Sequence, residues 1–293
     1  MTYVVERPGR SGADAVVAAM SDWEPLRGFG GQMHSGDVGW YLRYDDAVVD
    51  AGLHVWRTAD GELVAVGLQH GAQVLLTAVH PARLRDMELG EVMAQDALKA
   101  LSGDDLYIDA PYPAAVRVVL AARGWDLDPD PWPALYRPVT ESDLAENDAA
   151  VRSVLSDAEV EQRVEVQQRM FERSESTVAG WHRMRQTAAY SADLDLMLCE
   201  GGHAVAAATA WSAGVDKCGL LEPVGVHVDH RGKGYGSHVV RAACAALARA
   251  GASGVAVFTS ASNEPAVALY KSCGFRTVGL VGSPQGRPSV LQR

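Results

Sequence analysis

The sequence predicts an α/β (α+β) fold in two similar domains, each a mixed, mostly antiparallel twisted sheet flanked by helices. Three observations carry this. Residues 53–71 and 194–211 both read as two strands around a Gly-containing turn, with apolar residues alternating at period two. Each hairpin is followed by the same succession of strand, helix, short strand and helix ending in Gly-aromatic. A chain of 293 residues is also long enough for two domains of about 150 residues each.

In the first half the hairpin is LHVWRTADGELVAVGLQHG, with Asp60-Gly61 as its turn. The strand QVLLTAVHP, the helix ELGEVMAQDALKAL, the strand DLYIDA and the helix PAAVRVVLAARGW follow. In the second half LDLMLCEGGHAVAAATAW turns at Gly201-Gly202, and Leu194, Leu196 and Leu198 alternate. LLEPVGVHV, GYGSHVVRAACAALARAG, VAVFTS and EPAVALYKSCGF complete that unit. Gly124 aligns with Gly274 and Val79 with Val226 at nearly constant offset, so the halves read as distant copies. Between them DLDPDPWPALYRPVT is dense in Pro and Asp and continues neither a helix nor a central strand. The expected division is therefore 1–132 and 133–293, with ALYR a candidate first strand of the second unit.

Composition narrows the function. The formal net charge of −11 disfavours nucleic acid, which wants a basic face. No apolar run approaches the roughly 18 residues of a membrane span, and the N-terminal residues lack the cationic start and apolar core of a signal peptide. A cytoplasmic protein, monomer or homodimer, is expected. The cysteines Cys199, Cys218, Cys244 and Cys273 form no C-x-x-C pair, so neither a disulfide framework nor a metal site is expected; they read as small buried thiols.

The stretch VGVHVDHRGKGYGSHVVRAA holds the clearest chemical signal. Gly232, Gly234 and Gly236 alternate, Arg231 and Lys233 flank the first, and a helix follows. Glycine lets backbone approach a ligand, and a helix N-terminus offers free N–H groups and about half a positive charge, so the pattern suits a phosphate. It is neither G-x-x-x-x-G-K-[ST] nor G-x-G-x-x-G, because Val239 stands where the latter needs its third glycine. Upstream, Pro223 and Gly225 weaken the strand LLEPVGVHV and predict a bulge that opens a gap beside it.

RGKGYG after a strand resembles the [RQ]-x-x-G-x-[GA] pattern of the GCN5-related N-acetyltransferase (GNAT) superfamily, and NEPAVALYKSCGF, residues 263–275, resembles its N-x-x-A-x-x-L-Y-x-x-x-G-F pattern. The tandem layout is similar to that of two-domain members such as mycothiol synthase. The resemblance implies two GNAT-like domains and acetyl-CoA as co-substrate, with its pyrophosphate on the N–H groups of Arg231, Gly232, Lys233, Gly234, Tyr235 and Gly236. It implies main-chain contacts to the pantetheine arm from the strand around Val226, His227 and Val228, and a further contact from Asn263, which also reads as a helix cap before Pro265.

Transfer to an amine needs a base for the ammonium and an acid for the departing thiolate. Glu222, on the bulged strand, is the candidate base, with His227 and His230 as rivals; Tyr270 aligns with the family tyrosine that faces the sulfur and is the candidate acid. The aligned first-half positions are Leu120 and Pro113, in place of Tyr270 and Asn263, and that half lacks the G-x-G loop, so one active site is expected. Residues 141–193, with Trp181, His182 and Tyr190 as candidates, and the segment GSPQGRPS (282–289) are expected to shape the acceptor site. The charged run 157–184 reads as exposed helices. The expected activity is direct acetyl transfer to a primary amine of a small molecule or peptide, without an acyl-enzyme on Cys273. A non-catalytic acetyl-CoA sensor and a transferase for another acyl-CoA are the alternatives.

Overall fold

The protein's structure, a computed structural model, describes residues 3–30, 33–146, 148–172, 174–281 and 284–286. The first half runs β1 (Tyr3–Glu6), α1 (Gly9–Trp23), α2 (Ser35–Tyr41), α3 (Asp46–Gly52), β2 (Leu53–Thr58), β3 (Leu63–His70), β4 (Val74–Val79), α4 (Met87–Ala100), β5 (Leu106–Asp109), α5 (Ala115–Ala122) and β6 (Asp126–Leu127). The second runs β7 (Trp132–Pro138), α6 (Glu141–Ala145), β8 (Val151–Ser153), α7 (Asp157–Met170), α8 (Val178–Arg185), β9 (Asp195–Glu200), β10 (His203–Trp211), β11 (Cys218–Val226), α9 (Tyr235–Arg249), β12 (Gly254–Phe258), α10 (Glu264–Ser272), β13 (Arg276–Val281) and β14 (Pro284–Gly286). The hairpins β2–β3 and β9–β10, and the strand–helix–strand–helix series after each, lie where the alternation and the Gly turns put them.

Two seven-stranded sheets result, ordered β1-β2-β3-β4-β5-β14-β6 and β13-β7-β12-β11-β10-β9-β8. All pairings are antiparallel except β4 with β5 and β11 with β12. One strand, β14, crosses from the second half to the sheet of the first. β7 follows β6 in the chain but inserts between β12 and β13 of the second sheet, and β14 returns to insert between β5 and β6 of the first. Trp132–Pro138 therefore lies wholly in the second sheet.

Each sheet packs its helices over an apolar core. One core joins Leu196, Leu198 and Leu221 to the α9 face of Val239, Val240, Ala243 and Leu247; another joins Trp56, Leu75 and Ile108 to Leu89 and Met93 of α4 and Val116 of α5.

The halves meet along α2. Its Gly36 and Gly39 lie flat on Trp211 of β10, and a Cβ on either would come within 2.5 Å of that side chain. Only glycine at these positions allows so close an approach. His34, just before α2, accepts from Gly36 N at Nδ1 (2.9 Å), so Nε2 carries the proton donated to Cys218 O of β11 (3.0 Å). Burial pushes this imidazole down to about 4, so it stays neutral as it ties α2 to the second sheet.

A second surface inside this region carries charge. Arg163 of α7 and Asp195 of β9 are both fully buried, with Nε 3.0 Å from Oδ1. Gln167 and Thr209 take the other guanidinium donors at 2.9 and 3.1 Å, and Trp181 Nε1 and Tyr190 Oη donate to Asp195 Oδ2 at 2.8 and 2.9 Å. The run read as exposed helices thus buries a salt-bridged core. Trp181 is fully buried and Tyr190 is spent on Asp195, while His182 is half-exposed 4.0 Å from Asp157. None of the three faces the cavity described next. Of the segment 282–289, residues 284–286 form β14, and the others lie outside the described residues.

Candidate active site

β11 begins as a regular strand and then parts from its neighbour. It pairs in parallel with β12 only over Cys218–Leu220. On its other side Ala208 faces Val224 and Ala210 faces Leu221, so Thr209 stands opposite two residues, Glu222 and Pro223. This is the expected bulge, placed at Glu222-Pro223. Trp211 Nε1 donates to Glu222 O at 2.6 Å and fixes it. Beyond Leu220 the edge of β11 that faces β12 has no ladder partner among the described residues, which leaves main-chain groups available to an extended ligand arm.

The loop after β11 continues this line. Val226 ends the strand opposite Ala206. His227 accepts from Asp229 N through Nδ1 (3.2 Å), capping the short turn Val228–His230. His80 does the same to Ala82 N in the first half (3.2 Å), so this histidine belongs to the repeated scaffold. Arg231 donates to Met170 O (2.9 Å) at the C-terminal end of α7. Lys233 is half-exposed and 3.8 Å from Glu200, whose carboxylate also meets His230 at 3.2 Å and accepts from Tyr235 Oη. Tyr235 is therefore an anchor for the loop.

Gly232 and Gly234 have φ of 78° and 87°, and a Cβ on either would meet nothing within 4 Å. Glycine at these positions serves the backbone conformation and leaves the space beside it open. Gly234 is the N-cap of α9 and offers no side-chain bond, so the first N–H groups of a 15-residue helix remain open. Gly236 packs beneath, where its Cβ would lie 3.0 Å from Leu269. The first half differs at this point. There Asp86 caps α4, accepting from Leu89 N at 3.0 Å, and its carboxylate also accepts from Tyr3 Oη at 2.5 Å. A carboxylate already holds the place an anion would take.

The parted strands open into a cavity of about 910 Å³ between the halves. Leu221–Val224 and Val257–Ser260 line it from the two sides of the gap, and Glu222, Asn263 and Tyr270 all face it. Asn263 caps α10, accepting from Ala266 N (3.4 Å). Tyr270 is 6 % exposed, its ring edge-on to Phe275, and burial raises its phenol well above the usual value, with the nearby Cys273 and Glu222 adding to the effect. It is held protonated, as an acid must be. Cys273 is buried beside it, and Cys218 and Cys244 are buried as well.

The sequence did not indicate the other wall. Met33, Asp37, Trp40, Arg43, Tyr44 and His70 bring the first half to the cavity, and Phe171 and Glu175 close it from the second. Asp37 sits against Glu222. Burial, the Glu222 charge and a hydrogen bond with it push the Asp37 carboxyl well above the usual range, although His34 N donates to it at 2.6 Å. Two such carboxyls hold a proton between them more readily than they ionise together. Arg163 with Asp195 and Asp37 with Glu222 had no sequence signal beyond charged residues in apolar surroundings.

With this geometry in view, the comparisons are consistent. Residues 157–275 match the Acetyltransferase (GNAT) family. A GCN5-related N-acetyltransferase from Sphaerobacter thermophilus superposes with a TM-score of 0.57 at 20 % identity, over 98 % of this chain and 96 % of that one. A tandem GNAT protein from the clavulanic acid biosynthesis pathway superposes at 0.59 with 15 % identity, over 98 % of both chains. These likenesses establish the tandem fold. An uncharacterized protein of Mycobacterium leprae is 26 % identical over 178 residues, 58 % of this chain; the match spans only 47 % of that relative's length.

Proposed function

We propose that the protein transfers acetyl from acetyl-CoA directly to a primary amine of a small molecule or peptide, at one site in its second half. What supports this is the succession along one stretch of chain of a cavity lined by Glu222 and Tyr270, a β11 edge that pairs with β12 only over Cys218–Leu220, and an α9 N-terminus without a side-chain cap. The residues present fit the coenzyme: glycines at positive φ, free helix N–H groups, and a strand edge without a ladder partner.

Acetyl-CoA, when bound, supplies the acetyl thioester. The α9 N–H groups, with Arg231 and Lys233 near them, hold the diphosphate. The main chain around Val226, His227 and Val228 aligns the pantetheine, and Asn263 lines its far end. Glu222 takes a proton from the acceptor ammonium, freeing the nitrogen lone pair to attack the acetyl carbon. Tyr270 gives its phenolic proton to the sulfur as the C–S bond breaks, and regains one from the new amide nitrogen. Cys273 is buried behind Tyr270, which favours transfer without an acyl-enzyme.

On this reading the chain divides near residue 132 into a first half that walls the acceptor cleft and a second that binds coenzyme, and it works in the cytoplasm as a monomer or homodimer. Among the described residues no helix is long and apolar enough to cross a membrane. The test is calorimetry with acetyl-CoA, joined to a thiol-release assay across an amine panel with Tyr270→Phe as control. Tight coenzyme binding with no turnover on any amine would make the protein an acetyl-CoA sensor instead.

A further inference from the structure

We infer that the acceptor amine also carries a carboxylate, which Arg43 of the first half binds. This rests on the acetyltransferase reading above and adds the class of acceptor.

Arg43 follows α2 and lines the cavity. Its guanidinium carbon lies 4.0 Å from the Trp40 ring centre and 4.2 Å from that of Tyr44, so the group is held between two aromatic faces. Nη1 donates to Trp40 O at 2.7 Å and Nη2 to Tyr44 Oη at 2.7 Å. Two of the five N–H donors are used, and the plane is fixed by contacts that leave the rest unspent. Among the described residues no carboxylate forms an ion pair with it; Glu222 and Glu175 act on it only through space. A half-buried guanidinium without an anion is a costly arrangement that a bound carboxylate relieves.

The rest of the lining bears on the sign of the ligand. Asp37, Asp109, Asp128, Glu175 and Glu222 face the cavity, against Arg43 as the single arginine or lysine among the described residues that line it, with His70 pushed down to about 4 by burial and by Arg43. Asp37 keeps its proton beside Glu222, and Asp109 lies close enough to Arg117 to act on its charge. A diamine would satisfy the acids but set an ammonium against Arg43. An amine that also bears a carboxylate satisfies both signs, with the ammonium at Glu222 and the carboxylate at Arg43. The aromatic rings of Trp40, Tyr44 and Phe171 add apolar contact.

The test uses the full chain with saturating acetyl-CoA. Glycine, β-alanine, γ-aminobutyrate and phenylalanine are each compared with the matching decarboxylated amine, methylamine, ethylamine, propylamine and phenethylamine, and putrescine represents the diamines. At least one carboxylated amine should exceed its partner in kcat/KM by about 30-fold or more. Arg43→Gln should remove that advantage, mainly through KM, while acetyl-CoA affinity by calorimetry is retained; Arg43→Lys, with the charge but not the fork, should restore part of it. The inference is overturned if no carboxylated amine is accepted, if putrescine or the decarboxylated amines match them, or if Arg43→Gln lowers both members of a pair equally. Failure of the wild-type chain to bind acetyl-CoA would instead overturn the acetyltransferase reading, and this inference with it.

Discussion

The carboxyls of Asp37 and Glu222 face each other across the seam between the two halves, one on a helix laid over Trp211, the other on the strand bulge that Trp211 fixes. Glu222→Gln should lower kcat by about a hundredfold or more with acetyl-CoA affinity unchanged. Asp37→Asn keeps a neutral hydrogen-bonding partner and should retain more activity than Asp37→Leu. The leucine leaves Glu222 without that partner, and the difference between the two variants should appear in kcat.

Tyr270→Phe removes a hydroxyl that has no hydrogen-bond partner among the described residues. Thermal stability should therefore change by no more than about 0.5 kcal/mol. Turnover should fall about tenfold to a thousandfold, and more for acceptors with poor nucleophilicity, in a thiol-release assay.

Gly234→Asp brings to α9 the kind of carboxylate that Asp86 places on α4. Acetyl-CoA affinity should drop about a hundredfold by calorimetry, since a like charge now competes for the same N–H groups. Gly234→Ala carries only the cost of a side chain at φ 87°, about 1–2 kcal/mol, and should weaken binding less.

Glu24 is 7 % exposed, and burial pushes its carboxyl up to about 7, partly offset by Lys217. Below about pH 4 both folded and unfolded chains hold this proton. As pH rises toward 7 the unfolded chain ionises first, so stability from this group is lost across that window. Glu24→Gln removes the effect. Its stability relative to the wild type should grow between pH 4 and 7 by up to about 3 kcal/mol, measured by denaturant titration at each pH.

Arg163→Met leaves the fully buried Asp195 with neutral donors and no cation. The expected loss is about 3–5 kcal/mol by denaturant unfolding. Adding Asp195→Asn to the same variant should recover most of it, because the buried charge is then gone.

Much of this was legible from local pattern. The alternation of Leu194, Leu196 and Leu198, the Gly turns, and Pro223 within an apolar strand each report on neighbours close in the chain, and β9–β11 follow them. Gly232 and Gly234 were readable because positive φ selects glycine almost regardless of context. What escaped depends on distant partners. Arg163 and Gln167, four residues apart on a charged helix, carry the usual marks of a solvated face until Asp195 and Thr209 are brought over them. Asp37 and Arg43 drew no reading from the sequence, because nothing near them in the chain announces the cavity. The Pro-rich run 126–140 reads as neither helix nor central strand, yet Trp132–Pro138 within it is β7, paired on both sides by β12 and β13; no local feature tells a strand which sheet it will join.

The crossover of β14 bears on biosynthesis. As the chain leaves the ribosome, the slot between Leu106–Asp109 and Asp126–Leu127 stays vacant until Pro284–Gly286, the last of the described residues, emerges. The half made first is thus the one whose sheet closes last, and its completion waits on synthesis of the second.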